Sequence, residues 1–385
     1  MITPAYTTIR QWVLKIGLYK LQRPKHSPSG WFFVIDTSIQ MGSQKCVVVL
    51  GVKNLDINNS FCPTLDAVEP LVVRPLTNCP GEVILEILEE AATMVGMSPI
   101  GIVSDEGAEN KKGARLFVQK HVETVHLFDA SHKINNCLKQ ELNNDLVWLA
   151  FKETAARSVQ ELKLSSLAHL TPPRQRAKAR MHSAFYLIDW GISMLHFLDS
   201  EQAITLTASE RSKIEWIRQY QFALPNYRYF QEICEYALEI VHTQGYFSGM
   251  ENEFCKRIKH ISTTDERRIS FQNRIKAVLE IEGQKIPRDA HYLGSTEILE
   301  SLFGKFKAIE RHHASSGLTS LVLAIPALLG KLNESIVAKA LTEISVDHVK
   351  RWIKTNMGQT FLSQRRHAFT SKHQENFAID LDVCD

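Results

Sequence analysis

The sequence predicts an α/β protein: a mixed β-sheet core with helices, interrupted by a large all-helical insertion. Three observations carry that class. Three apolar runs separated by turn-rich stretches precede an alternation of helix and strand, which describes a mixed sheet rather than a fully parallel one. From about residue 143 to residue 290 the pattern is helical nearly throughout. Three strand-like runs also stop on a carboxylate, at Asp36, Asp105 and Asp129. The crevice outside the carboxyl ends of strands is where open α/β sheets hold ligands.

The elements follow in order. Thr7 to Gly17 reads as a helix, with Thr at the N-cap, apolar residues at Ile9, Trp12, Val13 and Ile16, and Gly17 as a left-handed stop. Arg10, Gln11 and Lys15 form its polar side. That basic, amide-bearing face is like the recognition helix of a helix-turn-helix, although the few residues before it do not hold a three-helix unit. Plain amphipathic packing on the main body is the alternative. After a break at Arg23 to Gly30, Trp31 to Asp36 is a buried-strand pattern, Gln44 to Val52 a second after the Gly42-Ser43 turn, and Leu71-Val72-Val73 a shorter third, closed by Arg74-Pro75. Pro80-Gly81 opens a helix with Ile84, Ile87, Leu88, Ala91 and Val95 on one face and Gly96 as its stop. Pro99 to Asp105 is a fourth strand, Lys112 to His121 a helix, and Val122 to Asp129 a fifth strand. Thr171-Pro172-Pro173, Leu224-Pro225-Asn226 and Gly245 punctuate the helical stretch. Gly294-Ser295-Thr296 then precedes an N-capped helix through Lys307, with Ile298, Leu302 and Phe306 on one side, and the end after Phe369 is polar.

Composition narrows the function classes. Of 385 residues 44% are hydrophobic and 23% charged, which supplies a core and excludes disorder for most of the chain. A net charge of +3 excludes a polycationic chromatin-type protein and leaves local basic patches as the electrostatic route to nucleic acid. The seven cysteines are scattered without a C-x-x-C pair, which argues against a disulfide framework or structural zinc and fits a reducing cytoplasm. The longest oily stretch, Leu318 to Leu332, is broken by Pro326, Gly330 and Lys331 and is too short to span a bilayer. The expectation is a soluble, cytoplasmic protein with no membrane partner.

A carboxylate at a strand end is costly to half-bury unless something positive sits beside it. Three converging acids make a Mg²⁺ site the economical explanation, because Mg²⁺ takes hard oxygen ligands together with water and phosphate oxygens. For any one acid, an exposed loop position is the alternative.

The order Asp36, Asp105, Asp129 with Ser131-His132-Lys133, a helical stretch, and Glu300 with Lys307 seven residues later resembles a DDE transposase with an RNase H-like catalytic core. Ile102 to Gly107, the Lys112-Gly113 step and Asp129 to Lys133 are similar to segments of bacterial insertion-sequence transposases. The similarity covers roughly residues 29–145 and 290–310. It implies an N-terminal helix over 1–28 as a remnant of a DNA-binding helix-turn-helix, a first part of the core over 29–142, a helical insertion over 143–290, a second part of the core with the Glu helix over 291–333, and a helical, partly flexible tail over 334–385.

Carried onto these positions, the resemblance makes Asp36, Asp105 and Glu300 the catalytic and metal-binding residues for two Mg²⁺ ions, with Mn²⁺ as a substitute. Glu297 is the rival for Glu300, one turn earlier on the same helix face; the seven-residue spacing to Lys307 favours Glu300. The arginine that the family often carries four positions before its Glu is replaced by Thr296. Asp129 and His132 are auxiliary candidates, against a reading in which Asp129 caps the following helix and His132 packs. Lys307 would hold a DNA phosphate. Arg174, Arg176, Lys178 and Arg180, four basic residues in seven positions with no acid, would neutralise phosphates, as would Lys305 and Lys307, with a solvated helix face as the alternative. Trp190 and Trp216 are either base-stacking platforms or core residues. The implied activity is metal-dependent cleavage at transposon ends and 3′-hydroxyl strand transfer into target DNA, by a homo-oligomer on DNA associated with the bacterial nucleoid. The rivals are an RNase H-like nuclease without strand transfer and a truncated or domesticated copy that binds DNA without cutting it.

Overall fold

Strands β1 (Trp31–Met41), β2 (Gln44–Lys53) and β3 (Val68–Leu76) run antiparallel in sequence, and β4 (Gly101–Ser104) and β5 (Val125–Phe128) continue the sheet in parallel on the other side of β1. The strand order is β3-β2-β1-β4-β5. The computed structural model describes residues 4–41, 44–54, 61–175, 180–310, 319–357 and 369. The chain divides into two units, Met1–Asp129 with Tyr292–Asp385, and Ala130–His291. The sequence pattern marks the change of character at 143, whereas the helical unit begins directly after β5.

Alternation along the strands explains both faces of the sheet. Trp31, Phe33 and Ile35 of β1, Val47 and Val49 of β2 and Ile102 of β4 share one face, buried against Ile84, Ile87, Leu88 and Ala91 of α2 (Gly81–Val95) and against Ala114 and Phe117 of α3 (Ala108–Lys120). Gly96 ends α2 in the left-handed conformation, as its place in the sequence predicts. Phe32 and Val34 turn to the opposite face, where the Tyr292 ring meets Phe32 edge-on with centroids 5.2 Å apart. The helix α10 (Glu297–Glu310) packs on β1.

β3 is longer than its apolar run suggests, because it lies at the sheet edge, where Pro70 and Pro75 need not donate to a neighbour. β1 also exceeds its prediction. It runs past Asp36 to Met41, and its register against β2 shifts between Asp36 and Ile39.

The first helix differs from its prediction in both length and use. α1 spans Tyr6–Gln22 and passes straight through Gly17. A Cβ at Gly17 would lie 1.8 Å from the Leu323 carbonyl oxygen, so glycine there permits close approach of two backbones instead of stopping the helix. Leu14 and Leu18 pack on Leu323, Ile344 and Val349, the last from α12 (Val346–Asn356), with α11 (Glu334–Glu343) alongside. The polar side faces inward too: Arg10 donates to Ser320 Oγ at 2.8 Å and Lys15 to the Leu341 carbonyl at 3.3 Å. Lys20, 1% exposed, donates to the carbonyls of Ala327, Leu329 and Gly330. These contacts are the plain packing alternative for α1, with its cations bonded to the body of its own unit.

In the helical unit, α4 (Ala130–Asn143), α6 (Arg180–Leu198) and α9 (Glu266–Gly283) surround α7 (Leu224–Gln244), whose Tyr227, Phe230, Ile233, Cys234, Ala237 and Val241 are buried. Pro225 sits in the first turn of α7 and so begins a helix, since the amide it lacks has no partner there anyway. α5 (Leu146–Lys163) adds Trp148 and Phe151 to the core, and α8 (Met250–Arg257) packs on α9. Trp190 and Trp216 stand with centroids 6.0 Å apart beside Phe151, and Trp190 Nε1 donates to the Leu170 carbonyl. Both are half-buried against Phe151.

Candidate active site

Register brings the three aspartates to one level. Ile35 pairs with Ser104, and Ser104 with Phe128, across the adjacent parallel strands β1, β4 and β5. The next residue on each chain is Asp36, Asp105 and Asp129. Parallel neighbours lie about 4.8 Å apart, and side chains alternate by residue, so these acids continue the rows Phe32–Gly101–Val125 and Val34–Val103–Leu127. That is the face on which Tyr292 and α10 lie.

Each acid is held differently. Asp36 is half-buried, and its Oδ1 accepts from the Thr37 amide at 2.6 Å, just before the register shift in β1. Asp105 is half-buried, and its Oδ1 accepts from the Gly107 amide at 3.1 Å and from Asn110 Nδ2 at 2.8 Å. Asp129 is 1% exposed; its Oδ2 accepts from Thr296 Oγ1 at 2.8 Å, and its amide donates to the Ser104 carbonyl at 2.9 Å. The Thr296 hydroxyl therefore ties the last residue before α10 to the end of β5. On the opposite face, Ser104 Oγ donates to the Asp105 carbonyl and meets His126 Nε2 at 2.9 Å.

The two candidate glutamates do not share their surroundings. Glu297, half-buried, lines with Ser301 and Lys305 a pocket of about 410 Å³ whose other wall is Cys62–Asp66 and Leu328. Burial, reinforced by the Glu297 carboxylate, pushes the Cys62 thiol up to about 11. Thr296 faces Asp129 instead. At 100° per residue, Glu300, Phe303 and Lys307 fall on the stripe that continues from Thr296. Glu300 is exposed and Lys307 half-buried. The same geometry separates the two lysines of the helix: Lys305 belongs to the Glu297 pocket and Lys307 to the Glu300 stripe.

His132 and Lys133 are half-buried in the first turn of α4, in the helical unit. Arg174 is exposed; Arg176 and Lys178 lie outside the described residues, and Arg180 opens α6. Sequence reasoning missed Asn110 and gave Thr296 no contact. The Asp105-x-Gly107 step at a helix start was the available signal for the first, since such acids commonly accept from the amide two residues on.

The donor set suits a hard cation. Asp36 and Asp105 bring carboxylates to the ends of neighbouring parallel strands, and oxygen donors of that kind are what such a cation takes. No family model matches the chain, and no curated protein is significantly similar to it. Among the described residues, no helix is long and apolar enough to cross a membrane.

Proposed function

We propose that the chain is a metal-dependent DNA transposase built on an RNase H-like core, with Asp36, Asp105 and Glu300 as its catalytic carboxylates. The observation that carries this reading is the row of Asp36 and Asp105 at the carboxyl ends of adjacent parallel strands. The strand order β3-β2-β1-β4-β5, with only β2 reversed against its neighbours, supports the fold. The Thr296 to Asp129 bond supports Glu300 over Glu297, because by helical periodicity Glu300 and Lys307 continue the Thr296 stripe.

Asp36, Asp105 and Glu300 would hold two Mg²⁺ ions, for which Mn²⁺ can substitute. When bound, such a pair supplies Lewis acidity to the attacking and leaving oxygens of an in-line displacement at phosphorus. The protein's own groups do the rest. Asp36 and Asp105 fix negative charge at a set spacing on rigid strands, Lys307 offers an ammonium to a DNA phosphate, and Asp129 holds the start of α10 through Thr296. One site then serves both hydrolytic nicking at an element end and attack by the freed 3′-hydroxyl on target DNA. Arg174, Arg176, Lys178 and Arg180 would neutralise DNA phosphates on the helical unit.

The test is nicking and strand transfer of a labelled element end at fixed Mg²⁺. Asp36→Asn and Glu300→Gln are expected to lose at least about a hundredfold in both, as removal of metal ligands demands, while Glu297→Gln stays near wild type. An inactive Glu297→Gln beside an active Glu300→Gln would reverse the assignment. Nicking without strand transfer by the wild type would reduce the protein to a nuclease.

A further inference from the structure

Asp105 is gripped by one of its two oxygens. The Gly107 amide and Asn110 Nδ2 both donate to Oδ1, and among the described residues no donor reaches Oδ2. Asn110, in the first turn of α3, is 1% exposed, and its own Oδ1 is buried without a hydrogen-bond partner. A buried amide with an unmet acceptor is a cost that folded proteins seldom carry. The opposite amide orientation is closed, because it would set two acceptor oxygens 2.8 Å apart. Asn110 thus gives up one bond in order to make the other.

We propose that Asn110 is a positioning residue for Asp105: its amide fixes the carboxylate through Oδ1 and leaves Oδ2 as the oxygen offered to a divalent cation. This rests on the reading of Asp105 as a metal ligand. Gly107 belongs to the same clamp. A Cβ there would meet Asp105 Oδ1 at 2.9 Å, so a larger residue displaces the oxygen that its own amide holds. The N-cap φ of −52° at Gly107 is open to any residue, so the glycine is needed for room and not for backbone freedom. Partners that orient a ligating carboxylate typically govern metal affinity by ten- to a hundredfold.

The experiment measures Mn²⁺ affinity of the whole chain by the electron paramagnetic resonance of free Mn²⁺, without DNA or turnover, for wild type, Asp105→Asn, Asn110→Ala and Gly107→Ala. Asn110→Ala is expected to bind about ten- to a hundredfold more weakly while keeping its circular dichroism, and Gly107→Ala is expected to weaken binding as well. A purely structural Asn110 would lower the melting temperature of the metal-free protein and leave Mn²⁺ affinity unchanged. That result, beside an Asp105→Asn variant that loses binding, overturns the inference and spares the site. If Asp105→Asn binds like wild type, the reading of Asp105 as a ligand fails and the inference falls with it. Should Asn110→Ala not fold, Gly107→Ala decides: wild-type affinity there overturns the clamp.

Discussion

The bond from Thr296 to Asp129 joins α10 to the aspartate row, and Thr296→Val removes it with almost no change in shape. The acceptor is a carboxylate 1% exposed, 2.8 Å from the hydroxyl, so water has no ready access to replace the lost donor. A hydrogen bond to a charged group is worth about 1.5–3 kcal/mol net. Because Val fills the same volume, no cavity contribution adds to it. We expect Thr296→Val to lose about 1.5–3 kcal/mol in urea unfolding at pH 7 with an unchanged dependence on urea, and Thr296→Ser, which keeps the hydroxyl, to lose about 1 kcal/mol. Nicking by Thr296→Val should fall at temperatures well below its unfolding, since the start of the Glu300 helix is no longer tied to β5. A Thr296→Val protein within about 0.5 kcal/mol of wild type, or a Thr296→Ser protein equally damaged, would refute the reasoning.

Two further outcomes follow from buried positions in the same unit. Gly17→Ala would stabilise an open helix by about 1 kcal/mol, but a Cβ 1.8 Å from the Leu323 carbonyl demands backbone movement, so a loss of about 3 kcal/mol or more is expected by chemical denaturation; any gain in stability would show that α1 does not dock there. Lys25, 4% exposed with its ammonium on the Leu21 and Arg23 carbonyls, is lowered by burial from its ordinary 10.5 to about 8. Between those values the unfolded chain holds one proton more, so stability rises with pH by up to roughly 3 kcal/mol, absent below pH 8 and complete above 10.5. Relative to Lys25→Met, which cannot titrate, the wild type should gain that much between pH 7 and 10.5, and parallel pH profiles would contradict it.

Local signals located most of the sheet and missed what distant chain segments decide. Trp31 to Asp36 and Cys46 to Leu50 announce strands because nearly every residue is apolar, as burial on both faces requires. The prolines of β3 dilute its pattern, and only the edge position makes them harmless. Gly96 and Gly17 are the same residue at the same kind of place, yet one ends its helix and the other lies inside it. The difference is made by a carbonyl at Leu323, some 300 residues away, which no local window contains. The basic face of α1 reads alike whether it meets DNA or protein; Ser320 and the Leu341 carbonyl decide it.

For the candidate site, acids at strand ends are legible, but their alignment depends on register, which is set by pairing between strands about 70 residues apart for β1 with β4 and about 24 for β4 with β5. Burial then divides the row in a way that spacing alone does not express. Asp129 is enclosed and bonded to the hydroxyl before α10, whereas Asp36 and Asp105 are half-buried and take their donors from nearby residues on their own chain segments. An enclosed acid bonded to a residue distant in sequence suits a structural tie, and a half-buried acid at a strand end suits a ligand that arrives from solvent. On the proposed reading the outer strand's aspartate therefore holds the glutamate helix in place, and the two inner ones meet the metal.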